Sequence, residues 1–161
     1  MLNSSLKTGL SFGLTSGVIT TLGLLIGLAA GTSSRLAVLG GILTIALADA
    51  FSDALGIHLS EESENVHTPR EIWQSTLATF FAKLFFALTF AVPVLLFTLG
   101  TAALVAVAWG FLVLGITSFF IARAEKIAPW KVIGEHFLIA AIVVVATHFL
   151  GQLISILFTT K

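Results

Sequence analysis

The sequence predicts an all-α, polytopic membrane protein with five transmembrane helices, its N-terminus cytoplasmic and its C-terminus outside. Three observations carry this expectation. Apolar residues fill 57% of the 161 positions and charged residues only 10%, whereas soluble domains run at about 45–50% and about 25%; the mean hydropathy is +1.08. Apolar runs of the about 20 residues that cross a bilayer as helix recur five times. The lysines and arginines fall unevenly on the two sides that those runs define. Five spans with short connections fill the chain, so residues 1–161 are expected to form a single transmembrane domain.

The first run, roughly residues 8–31, is too long for a signal peptide's apolar core of about 7–15 residues and reads as a retained span. It carries two glycine ladders, Gly9/Gly13/Gly17 and Gly23/Gly27/Gly31. Four-residue glycine spacing lets a second backbone come close, inside the bundle or at a subunit interface. After "GTSSR" the second run covers roughly 35–59 and passes into the acidic break "SEESENVHTPRE". The third, roughly 75–99, contains Pro93, which should kink its helix and free a carbonyl that a neighbour must satisfy. The break "LGT" is so short that the third and fourth spans (the fourth roughly 102–122) should form a tight antiparallel hairpin. "ARAEKIAPWK" then leads to the fifth, roughly 132–158, with Pro129 suited to a helix start.

With five spans, Lys7, Arg70, Arg123, Lys126 and Lys131 share one side, with Lys83 just inside its helix; Arg35 and Lys161 hold the other. The lysine-rich side should be cytoplasmic, together with the acidic break. Trp73 and Trp130 fall near that interface, where indoles prefer to sit.

Polar groups inside the runs are the candidates for function. Asp49 and Asp53 are four residues apart and so share one helix face, which Gly56, Ser60 and Glu64 roughly continue. An aspartate near a span's centre costs about 2.5–3.5 kcal/mol on insertion scales. Such residues face a bundle interior or water and mark ion or proton paths. Lys83 enters from the same side to a similar depth, and a bridge to Asp53 or to Asp49 would neutralise one carboxylate. The other must then be protonated, hydrated or bound to a cation. Ser11, Thr15, Ser16, Thr20 and Thr21 form a hydroxyl stripe on the first span. His148, deep in the fifth, reads as an interhelical hydrogen-bonding group or as a proton or cation group; Glu135 and His136 read as interfacial. His58, Glu61, Glu62, Glu64 and His67 in the acidic break are donors suited to Mn²⁺ or Fe²⁺, or are simply solvated.

Several classes drop out. No phosphate cradle, nucleophilic triad or H-E-x-x-H motif occurs, so enzymatic activity is not expected. No basic run could hold nucleic acid, and without cysteine there is no disulfide or thiolate site.

The order of these features resembles the vacuolar iron transporter family, five-span proteins that move Fe²⁺ and Mn²⁺ out of the cytosol. "GLTSGVITTLGLLIGLAAG" is similar to that family's first span and "ADAFSDALGIHLSEESE" to the end of its second. "LGITSFFIARAEKIAPWKVIGEHFLIAAIVVVATHFLGQLI" is similar to its last two, and Pro93 fits its proline-bearing third. Three departures stand out. The family's Asp-Gly pair in the first span reads Ser16-Gly17, its Ser-Met pair in the second reads Ser52-Asp53, and its glutamate-rich domain is reduced to the short acidic break. The resemblance implies a homodimer in the lipid bilayer, the cell membrane in a prokaryote, exporting Mn²⁺ or Fe²⁺ with protons moving the other way. No permanently bound cofactor is expected. The expected ion pathway comprises Asp49, Asp53, Ser16, Thr20, Ser52, Lys83 and His148, with Asp49, Asp53, Glu61, Glu62 and Glu64 as metal ligands. Since Met1 is the only methionine, oxygen-only ligation is expected, which shifts the cargo towards harder ions, Mn²⁺ more than a soft metal, or simply H⁺. The alternatives are a non-transporting membrane module whose Asp–Lys pair is structural, and a proton-coupled carrier of another solute.

Overall fold

In hydrocarbon a single apolar run can satisfy its own amides and carbonyls only as a helix. The computed structural model, which describes residues 4–158, is helical accordingly; Lys161, counted above among the outer charges, lies outside the described residues. Among those described, the helices are α1 (Ser4–Thr32), α2 (Arg35–Glu64), α3 (Pro69–Thr89), α4 (Ala91–Leu96), α5 (Leu99–Glu125) and α6 (Pro129–Phe158), with no strand. Five segments are long and apolar enough to cross a membrane: α1, α2, α3 with α4, α5 and α6. The chain has the make-up of an integral multi-pass membrane protein.

The helices run beyond the apolar runs, most consequentially in α2. It continues to Glu64, so Glu61, Glu62 and Glu64 stand on a helix and not in a loop. The reason lies in the caps. Asn65 ends α2 in the left-handed conformation (φ 55°), which asparagine tolerates better than most residues. Thr68 opens α3 with a capping box: Glu71 carboxylate accepts the Thr68 amide (2.9 Å), and the Thr68 hydroxyl accepts the Glu71 amide (3.4 Å). Pro69 takes the first helical position, where its missing amide is not needed. The break expected between the second and third spans thus narrows to residues 65–68. Pro129 starts α6 as expected.

Pro93 does interrupt its span. The Phe90 amide donates only three residues back, to Ala87 (3.2 Å), and α4 restarts at Ala91. Pro93 becomes the third residue of α4, among amides that have no helical partner anyway. Next to the break, the Thr89 hydroxyl donates to the Phe86 carbonyl (2.6 Å) and accepts the Trp109 indole N–H from α5 (2.9 Å). A neighbouring helix is therefore bonded beside the break, through the Thr89 side chain. Past the end of α4, the Arg35 guanidinium donates to the Phe97 carbonyl (2.6 Å) and ties it to the start of α2.

α1 is the central helix, packed on α2, α3, α5 and α6. Its glycine ladders are both used inside the chain. A Cβ at Gly9 would stand 2.3 Å from the Ser75 carbonyl oxygen and one at Gly13 2.4 Å from that of Thr79, so the first ladder seats α3. The second seats α6, where a Cβ on Gly151 would stand 2.3 Å from the Gly27 carbonyl oxygen. Val18, Leu22 and Leu25 of α1 form the core with Ile42, Phe90, Val94 and Leu114. α6 is the least enclosed helix, burying only Ala140 and Gly151.

Candidate functional site

The close seat of α3 on α1 builds the site. Ser75, Thr79 and Lys83 recur every four residues and form one buried stripe on α3, opposite Gly9, Gly13 and Gly17. With no side chains on the facing backbone, Lys83 is enclosed to 1% exposure while its head reaches α2. Three acceptors surround its ammonium, which carries three N–H groups. They are Ser16 Oγ (2.8 Å), Asp53 Oδ2, and Asp49 Oδ2, which at 2.6 Å is an ion-pair contact out of line for a hydrogen bond. Ser16 in turn donates to Asp53 Oδ2 (2.6 Å). The sequence left open which aspartate Lys83 meets; it meets both. With all three groups ionised the cluster carries a net charge of −1. The two carboxylates keep 22% and 20% of their side-chain surface open, so the cluster is not sealed.

Only part of the expected pathway converges here. Ser16 joins the cluster. Thr20 is exposed and returns its hydroxyl to the Ser16 carbonyl (2.9 Å), and Ser52 is exposed beside Asp53. His148 stands elsewhere, exposed on α6 beside a cavity of about 360 Å³ shared with Ala29, Ser33 and Leu99. His136 pairs with Ser118 of α5 through Nδ1 (2.6 Å).

The acidic end of α2 divides by helix phase. Glu61 is buried and accepts the Ser75 hydroxyl (2.6 Å). Glu62 and Glu64 are exposed; Glu64 meets His67 Nε2 (3.4 Å), whose Nδ1 pairs with Ser5 Oγ (3.3 Å). His58 pairs with Thr76 of α3 (2.9 Å). The stripe from Asp49 and Asp53 therefore continues through Ile57 to Glu61. Gly56, Ser60 and Glu64, which the sequence suggested, are exposed. Two further helical turns at four-residue steps from Asp53 reach 57 and 61, which is why the face passes there. Among the described residues no three His, Asp or Glu side chains gather as a metal cluster.

Ser75 and Thr79 were not singled out by sequence reading. Ser75 holds Glu61, and Thr79 Oγ1, one turn on, is buried without a hydrogen-bond partner. Their signal was present: a polar residue every four positions in the third span, matching the first glycine ladder in period.

No protein-family model, curated protein or solved structure matches the chain. Chemically, the cluster holds two carboxylates and a hydroxyl that can ligate a cation, and an ammonium that competes for the same oxygens.

Proposed function

We propose that the chain is a membrane transporter that exports a divalent cation, Mn²⁺ or Fe²⁺, from the cytoplasm in exchange for protons. The observation that carries this reading is the charge balance of the Lys83–Asp49–Asp53 cluster. Two carboxylates against one ammonium leave the site one positive charge short, and an unbalanced charge among apolar helices is costly. A divalent ion held by both carboxylates supplies the missing positive charge, and protons moving the other way offset the charge it carries. Asp49 and Asp53 hold the ion, Ser16 adds a neutral oxygen, and Lys83 acts as the gate that yields the carboxylates. Glu61 is the next carboxylate along the face, and Glu62 and Glu64 collect cations at the cytoplasmic end. The resemblance to the vacuolar iron transporter family supports the same reading, a homodimer with its N-terminus inside, and the all-oxygen donor set supports Mn²⁺.

The test is Mn²⁺ uptake into proteoliposomes by wild type, Asp49→Asn and Asp53→Asn. Both variants should lose uptake; equal uptake by all three would sink the aspartate pathway. One observation favours a second reading, a non-transporting module with a structural bridge: the ammonium already has three acceptors around it. In that case Asp49→Asn/Asp53→Asn/Lys83→Met folds and leaves ion flux unchanged.

A further inference from the structure

A cavity of about 580 Å³ lies between the first half of α1 and the second half of α5, within the range of small-molecule sites. Leu14, Ile116 and Phe120 give it apolar walls. Its other end is charged. Lys7 lies in the first turn of α1 and Glu125 is the last residue of α5, and both are exposed while lining this same space. Neither forms an ion pair with the other or with any described residue. From Lys7 to Leu14 an α-helix rises about 10 Å, and from Glu125 to Ile116 about 13 Å. The cavity thus starts at the ends of two spans, at headgroup level, and descends into the hydrocarbon zone.

We propose that this cavity binds one phospholipid bearing a phosphoethanolamine headgroup. The proposal is independent of the ion pathway. An acyl chain fills the depth, whose wall is mostly apolar: Ser11 and Thr117 add hydroxyls there, and Thr117 returns its own to the Val113 carbonyl (2.8 Å). The phosphate meets Lys7 and the primary ammonium meets Glu125, so the unpaired opposite charges at the mouth find complementary partners. A phosphoglycerol headgroup satisfies Lys7 but offers Glu125 no cation and sets its own negative charge beside it. A quaternary ammonium brings the charge without an N–H for the charge-assisted hydrogen bond.

The experiment is native mass spectrometry of the purified, delipidated protein, titrated with phosphatidylethanolamine and phosphatidylglycerol of matched chains. The ethanolamine lipid should bind about fivefold more tightly, the worth of one favourable charge contact at the membrane surface. Glu125→Gln should abolish that preference, and Lys7→Gln should weaken both lipids. Ser11→Phe, which fills the cavity, should reduce the binding of either. Equal affinity of the two lipids for wild type overturns the proposal. So does a preference that survives Glu125→Gln, or soluble glycerophosphoethanolamine competing as well as the whole lipid.

Discussion

Replacing Lys83 with methionine removes the one positive charge between Asp49 and Asp53 while keeping most of the side chain's length. Packing is largely preserved, so the cost is electrostatic. Removing one partner of a buried ion pair costs about 3–5 kcal/mol, because the other charge stays buried and uncompensated. Here the lysine is 1% exposed but the carboxylates are 22% and 20% open, so water screens part of the loss. The lower end, about 3 kcal/mol, is expected, a shift of roughly a hundredfold in the folded-to-unfolded ratio. The loss would be measured by reversible unfolding of the purified protein in mixed micelles of mild and denaturing detergent. Adding Asp49→Asn and Asp53→Asn to Lys83→Met should recover most of it, since no charge is then left unpaired. Lys83→Met alone within about 0.5 kcal/mol of wild type would refute the reasoning. The ammonium would then not be the counter-ion of these carboxylates.

The same unfolding assay reads two further changes. Gly13→Ala places a Cβ 2.4 Å from the Thr79 carbonyl oxygen and should cost about 1–3 kcal/mol by forcing α1 and α3 apart, whereas Gly56→Ala meets nothing within 4 Å and should gain up to about 1 kcal/mol; equal effects would contradict the packing of the first ladder. Thr79→Val keeps the shape and deletes a buried, unpartnered hydroxyl, so stability should rise by about 1 kcal/mol, and a loss would mean that the hydroxyl is engaged.

The five spans were legible because hydrocarbon imposes one rule on every apolar run, and so short a break left the third and fourth no choice but a hairpin; the break itself falls at Phe97 and Thr98, and "LGT", where the sequence placed it, is the first turn of α5. Helix ends were less legible because they depend on caps rather than on hydropathy. The signals existed, Asn65 for the end of α2 and Thr68-Pro69-Arg70-Glu71 for the start of α3, but the surrounding charges read as loop. That misreading concealed Glu61: which of three nearby glutamates faces α3 follows from helix phase only once the helix is known to continue. Lys83 illustrates a different limit. Its depth could be read from sequence, but its simultaneous reach to Asp49, Asp53 and Ser16 depends on how closely the glycines admit α3. Depth alone places His148 with the aspartates, but depth in a span says nothing about direction around it.

The two glycine ladders also bear on the order in which the protein is assembled. Gly9, Gly13 and Gly17 find their seat as soon as the third span is inserted, whereas Gly23, Gly27 and Gly31 close only on Val143, Thr147 and Gly151. Half of α1 therefore waits, its bare backbone turned toward lipid, until α6 has left the ribosome. α6 is a latch on a nascent chain, and a copy cut short before it would expose a ready groove to whatever helix came by.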